Sequence, residues 1–555
     1  MHPEQSLNTL ERRGAGRPDS QPGWLDRSRT IAGAHFNRWL IPPAALAIHL
    51  SIGMAYGFSV FWLPLSKALP GVAACPADVS WLDELTASCN WRLESLNFTF
   101  VLFTVVLGLA AAVWGKWVER VGPRKAAVLA TLFWCGGLVL GAVAIQVHQL
   151  WLLWLGTGVL GGIGLGLGYI SPISTLIRWF PDRRGMATGM AVMGFGGGAM
   201  IGAPLAVSLM KHFESANDTG VAATFLCLAG IYAVFMLGGA FGYRLPPRDW
   251  QPAGWKAPDS NSAIHRRSVH VSTAWMTPAF WCVWVVLAMN VSAGIGVLSM
   301  ASPMLQEIFG GQLIGLNLGI DELDAAQQAQ CAVIAVGFTG LLSLFNIGGR
   351  FFWAVLSDRI GRKNTFFCFF IVGIPLYAAL PALSAAGHVV WFVAIVCVLM
   401  SIFGGGFALI PAYLADLFGD EMIGAIQGRV LTAWSTAGVI GPLLISALRN
   451  DRVQQGVELA RAYDYAFYII AILLLLGLVV NACVRPVAER HFMSKAELER
   501  YRLESRHDTA HEKANVMTPT MRPVFSTTAA AVWATVCLPI AWGIWMTLQR
   551  AAILL

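Results

Sequence analysis

The sequence predicts an all-α polytopic membrane protein built as two six-helix halves, with a thirteenth helix near its C-terminus. Three observations carry that expectation: a composition too apolar for a water-soluble domain, thirteen long apolar spans, and a chain that repeats itself at an offset of 238 to 239 residues. Of 555 residues, 56% are hydrophobic and 12% charged, roughly half the 25% or so of charge in an average soluble domain. The net charge of +7 does not gather on one face. Lys and Arg fall in short clusters between apolar spans, which reads as membrane topology and argues against nucleic-acid binding.

Taken in order, residues 1–38 are polar and too long for the charged leader of a signal peptide, so they are expected to form a cytoplasmic tail. Spans of about 20 apolar residues begin near 40, 96, 126, 151, 186 and 221, giving a first half over 39–243. Residues 244–273, rich in Pro, Ser, Arg and His, lack an apolar stripe and are expected to form the cytoplasmic linker. A second half over 274–484 holds spans beginning near 278, 329, 365, 389, 422 and 465. Residues 485–525 read as a cytoplasmic tail, and 526–548 as the extra span. The basic loops around 116–125, 178–184, 244–267 and 359–363 alternate with acidic ones, which places the basic side and the N-terminus in the cytoplasm. The loop "ADLFGDEMIGAIQGR" is acidic on balance and points weakly the other way.

Internal repetition supports the two halves. "GKWVERVGPRK" from Gly115 and "AVLSDRIGRK" from Ala354 align Glu119-Arg120 with Asp358-Arg359, and "WFPDRRG" aligns with "LFGDEMIG" at nearly the same offset. Duplicated halves of this kind are a recurring plan of secondary transporters. The charged turn has its own physical reading. Glu119, Arg120, Arg124, Asp358, Arg359 and Arg362 can tie helix ends together on the cytoplasmic side and release them as the halves rock; otherwise they serve as ordinary positive-inside anchors.

With its basic central linker and this turn, the chain resembles the major facilitator superfamily. Within it, "GMAYGFSVFWLPLS", "GLGLGYISPISTLIRWFPDRRGMATGMAVMGFGGGA", "NIGGRFFWAVLSDRIGR" and "GGGFALIPAYLADLFG" are similar to the oxalate/formate antiporter family and its monocarboxylate-transporter relatives. The resemblance implies the major facilitator fold. It also implies alternating-access transport of small carboxylates across the inner membrane, by anion exchange or with a proton. The last span resembles a small one-helix subunit, here fused.

Arg350 lies inside the apolar run "FNIGGRFFWAVL", eight residues before Asp358, or about 12 Å along a helix. A guanidinium near mid-bilayer costs at least about 2.5 kcal/mol unless it meets a polar partner. Its planar fork of donors fits a carboxylate. No Asp or Glu in a span lies deep enough to neutralise it, so the substrate is the leading counter-ion; snorkelling or bonds to backbone carbonyls are the alternatives. In the resembling family, the arginine at this place binds carboxylate. Asn346, one turn earlier, can orient it. By the same resemblance, Tyr56 and Tyr169 place phenols on the cavity. Trp434 stands where dicarboxylate carriers are expected to have a second cation, a lysine. One deep cation fits a monocarboxylate such as formate, lactate or pyruvate better than oxalate.

Phe403 and Phe407 can form an apolar wall around a small substrate or pack in the core. His49, deep in the first span, can carry a coupling proton or bond a neighbouring helix. Cys75 and Cys89 share one polar loop and can form a disulfide if that loop lies outside. No cysteine or histidine pattern fits a metal, no cofactor is implied, and no catalytic set is present, so an enzyme is not expected. The carrier is expected to work as a monomer in the lipid bilayer, with a carboxylate, and a counter-anion or proton, as its partners. A carboxylate sensor derived from a transporter would keep the site, but no signalling domain is recognisable.

Overall fold

The computed structural model describes residues 23–33, 36–69, 71–76, 79–215, 218–247, 250–252, 268–504 and 527–551. The first 22 residues of the expected N-terminal tail with 34–35, 248–249 and 253–267 of the expected linker, 505–525 of the expected C-terminal tail and residue 526 of the expected extra span lie outside them. Among the described residues, thirteen helices are long and apolar enough to cross a membrane. They are α1 (Arg38–Leu65), α2 (Leu93–Val121), α3 (Pro123–Gln146), α4 (Leu150–Trp179), α5 (Arg184–Phe213), α6 (Val221–Gly242), α7 (Pro278–Ser299), α8 (Ala325–Ile360), α9 (Arg362–Ala385), α10 (Val389–Phe418), α11 (Ile423–Gln454), α12 (Leu459–Cys483) and α13 (Thr527–Gln549).

Local chemistry sets where these helices start and stop. Asp324 and Gln327 form a capping box at the head of α8, satisfying amide donors that the first turn leaves open. At α7, the Thr277 hydroxyl accepts from Phe280 N, with Pro278 in the first turn. The turns α2–α3 and α8–α9 both pivot on one glycine at positive φ, Gly122 (88°) and Gly361 (87°). A side chain there would be strained. These glycines sit 239 residues apart, so the duplicated sequence carries a duplicated backbone geometry.

Helices α1–α6 and α7–α12 form two halves that meet along α2 against α11 and α5 against α8. Small residues bring the backbones close: Ser435 Oγ of α11 donates to Thr104 O of α2 at 2.7 Å. Helix α1 tightens to 3-10 winding over Gly53–Phe61, where it lies on the glycine-rich stretch of α5. Helix α13 packs outside the twelve, against α8, α5 and α1.

One face of the bundle holds the α2–α3, α4–α5, α8–α9 and α10–α11 turns; we call it the gate face. On the opposite face, the α1–α2 connection is closed by a Cys75–Cys89 disulfide with Cα atoms 5.0 Å apart. Beside it the buried Glu84 carboxylate accepts from Arg92 N (2.8 Å), Arg92 Nη2 (2.6 Å) and Ser95 Oγ (2.7 Å). The Trp91 indole stacks on His148 of the α3–α4 turn, ring centroids 4.4 Å apart.

Candidate functional site

The apolar run of α8 carries Arg350 into the interface between the halves, where it is 1% exposed. Its Nε donates to Asn346 Oδ1, one turn earlier, at 3.0 Å. Asn346 is itself held by donating from Nδ2 to Met400 O of α10 at 3.2 Å. Across the interface, Arg350 Nη1 donates to Val192 O of α5 at 3.0 Å. Asn346 therefore stands where it can orient Arg350, and a backbone carbonyl, one of the alternatives offered by the sequence, accepts one of its hydrogen bonds. Among the described residues no carboxylate pairs with it. The approach depends on Gly196, because a Cβ there would stand 2.8 Å from Arg350 Nε.

Aromatic rings from both halves enclose the guanidinium. Its carbon lies 5.9 Å from the Tyr56 ring centroid, 5.8 Å from Phe195 and 5.4 Å from Phe407, within range of cation–π attraction. Trp434 closes the ring, 6.1 Å from Tyr56 and 6.2 Å from Phe407, and Tyr169 lies 5.5 Å from Phe407. Beside this cage, Leu107, Leu165 and Leu431 pack against Tyr169, Phe195, Phe407 and Trp434 around a gap too small for a water molecule. Tyr169 Oη is buried with no hydrogen-bond partner; Tyr56 Oη and Trp434 Nε1, also buried, make no hydrogen bond of full geometry, although the Tyr56 phenol lies against both Arg350 and the Trp434 indole. Leaving a buried donor unpaired costs about 1–3 kcal/mol. With the Tyr169 hydroxyl unmet and the Tyr56 hydroxyl and Trp434 indole poorly met, donors outnumber acceptors around Arg350.

Of the sequence-level candidates, Arg350, Asn346, Tyr56, Tyr169, Phe407 and Trp434 come together here. Phe403 does not: its ring seats on Gly294 of α7, in the packing between α7 and α10. His49 is fully buried one layer away, with Nδ1 2.5 Å from Ala191 O and Nε2 3.2 Å from Tyr169 O. Its ring stacks on Tyr169 at 5.2 Å. A neutral imidazole has one N–H for those two carbonyls, whereas the protonated ring would satisfy both. Phe195, Leu107, Leu165 and Leu431 are additions that sequence reasoning missed. The only signal for Phe195 is its place inside the glycine run "GFGGG".

At the gate face, the charged turns tie the halves together in a repeated pattern. Glu119 Oε1 of α2 accepts from Gly424 N at the head of α11, at 2.9 Å. Asp358 of α8 accepts from Gly185 N and Met186 N at the head of α5, at 2.8 and 2.9 Å. Each carboxylate thus meets the positive end of a helix from the other half. Gly185 and Gly424 are 239 residues apart, as are Glu119 and Asp358. Arg178 pairs with Glu119, Arg362 with Asp358 and Asp416, and Arg184 reaches across to Asp416 and Asp420. Arg124 Nη1 donates to Trp24 O at 3.0 Å, anchoring the N-terminal segment. Arg120 and Arg359 face outward and are exposed. Arg178, Arg184 and Asp416 were not singled out from sequence, although each lies in or beside the repeated strings.

Comparison with known proteins places these features in context. The family model of the Major Facilitator Superfamily matches residues 31–442 and 327–553. The oxalate:formate antiporter of Oxalobacter formigenes is 26% identical over 416 residues, covering 75% of this chain and 86% of that protein. Human monocarboxylate transporter 14 is 21% identical over 487 residues, covering 76% and 89%. Among solved structures, the fucose:proton symporter of E. coli superposes with a TM-score of 0.54 at 13% identity, over 81% of this chain and all of that one.

Proposed function

The chain belongs to the Major Facilitator Superfamily and is a multi-pass secondary transporter, and from that premise we propose that it carries small monocarboxylates by alternating access. The observation that carries the proposal is the acceptor-poor cage. One guanidinium with no carboxylate partner among the described residues, with the Tyr56, Tyr169 and Trp434 donors around it, matches an anion of one charge and two adjacent oxygens. The carboxylate replaces the Val192 carbonyl as partner of Arg350 in a bidentate pair, and the phenols or indole take its remaining lone pairs. Leu107, Leu165 and Leu431, packed beside the cage, would face its short carbon chain once the site opens. A dianion would bring a second charge into a site that holds one cation, so formate, lactate and pyruvate fit better than oxalate. The resemblance to a named oxalate:formate antiporter supports the carboxylate class without choosing the member.

In this reading the gate face is cytoplasmic and both ends of the twelve-helix unit lie inside. The opposite placement of the Cys75–Cys89 bridge supports it, because disulfides persist in oxidising compartments. His49 is the candidate proton carrier if the transport is symport. Counterflow in proteoliposomes tests the proposal: labelled formate, lactate or pyruvate is expected to exchange for unlabelled anion, and Arg350→Gln to lower the rate by about a hundredfold or more, as loss of a buried charge-assisted pair implies. Undiminished counterflow in Arg350→Gln would remove the site. A pH gradient that drives uptake in the wild type and not in His49→Gln identifies symport through His49; equal uptake in both removes that role.

A further inference from the structure

Helix α13 is the part of the molecule that the transport cycle of twelve helices leaves unused. Its buried residues, Ala529, Val536 and Gly543, recur every seven positions, with Thr547 one turn on. Such spacing forms one straight seam, and Ala, Gly and Thr in it let helix backbones approach closely. On its other side Leu538, Trp542, Trp545 and Leu548 are exposed, as suits a lipid-facing surface.

The seam does not rest on one half alone. Near the gate face, Trp533 Nε1 donates to Trp39 O of α1 at 3.0 Å, and Val536 is buried with Leu46 and Ala47 of α1, beside Met193 of α5. Further along, Gly543 lies on α5, where an added Cβ would stand 3.0 Å from Ile201 Cγ1 and 3.1 Å from Met200 Cε. One turn later, Thr547 meets the second half: a Cβ on Gly340 of α8 would be 3.1 Å from Thr547 Cγ2. Gly340 precedes Arg350 by ten residues, about 15 Å along α8 toward the disulfide face. Alternating access moves α5 and α8 relative to one another. A stiff helix seated on both, one turn apart, resists that movement.

We propose that α13 is a clamp across the α5–α8 seam, favouring the form closed at the gate face, and that the gate opens when α13 gives up its contact with one half. Its bias is the difference in contact between the two forms. The clamp rests on the chain being a secondary transporter, and not on which solute it carries.

Two cysteine pairs in the full-length chain test this: Gly340→Cys with Thr547→Cys joins α13 to the second half, and Ile201→Cys with Gly543→Cys joins it to the first. The readout is amide hydrogen exchange at Gly185 and Gly424, which needs no substrate. After oxidation, with each bridge verified by mass, either pair alone is expected to leave exchange within about twofold of the parent, and both together to slow it by about tenfold or more, reversibly with reductant. Parent-like exchange in the doubly bridged protein overturns the proposal. Thr547→Trp is a second route: crowding Gly340 should lift α13 from α8 and speed gate exchange by about tenfold, whereas an unchanged rate in a folded variant also overturns it. Slowed gate exchange without carboxylate counterflow in the parent would leave the clamp standing and sink the substrate reading.

Discussion

Gly196 is where the site is most sensitive to one added carbon. Gly196→Ala would place a methyl 2.8 Å from Arg350 Nε, inside van der Waals contact, so the guanidinium must shift from Asn346 and Val192. We expect a KM for monocarboxylate about tenfold higher, with the fold retained, as measured by counterflow and thermal melting; the overpacking cost is about 1–3 kcal/mol. Tyr169→Phe removes an unpaired buried donor, and Tyr56→Phe removes a phenol that lies against Arg350 and Trp434. If the phenols hold substrate, each raises KM severalfold, while melting of the empty Tyr169→Phe carrier stays level or rises, because an unmet donor is gone. Arg350 and Asn346 were legible in sequence because polar groups stand out in an apolar run. Phe195 was not, since an aromatic ring in such a run carries no mark of which neighbour it faces. The pair Phe403 and Phe407 shows the limit of spacing: four residues advance a helix about 40° beyond a full turn. That turn is enough to aim Phe407 at Arg350 and Phe403 at Gly294.

Among the elements, the α1–α2 connection behaves as a folded unit, and its response to acid can be signed. Burial raises the Glu84 carboxyl, but the hydrogen bonds from Arg92 and Ser95 outweigh it and hold Glu84 below the ordinary glutamate range. A depressed carboxyl contributes stability that is present above its unfolded pKa of about 4.3 and is lost as pH falls through the lower folded value. Protection of this loop against hydrogen exchange, taken relative to the intrinsic rate at each pH, is therefore expected to hold from neutral pH to about pH 5 and to fall below about pH 4, while Glu84→Gln removes most of that pH dependence. The thirteen spans were legible to within a few residues because length and hydropathy alone define them. The charged turns were legible as strings but not as partnerships. Sequence paired Glu119 and Asp358 with nearby arginines, yet each also binds the amides of a helix from the opposite half, a contact that only tertiary packing reveals.

For the whole molecule, the gate ties predict which way the balance of forms moves. Arg184 joins the first half to Asp416 and Asp420 of the second, partly exposed pairs worth about 0.5–1 kcal/mol each. Arg184→Ala should raise the gate-open population about fivefold to thirtyfold, read as longer distances between spin labels at Lys125→Cys and Asn364→Cys. An unchanged distance distribution would show that Arg184 does not hold the gate. The duplicated halves were readable from one offset in sequence, whereas the attachment of α13 to both halves was not, because its seam of Ala, Val, Gly and Thr looks like any membrane helix. The lone guanidinium also has an electrical consequence. Empty, the central site carries one positive charge; loaded with a monoanion, it carries none. A membrane potential, worth about 2.3 kcal/mol per charge for each 100 mV across the full field, therefore acts on the empty carrier and spares the loaded one. One-for-one exchange should be electrically silent, and only the unloaded return step should respond to voltage.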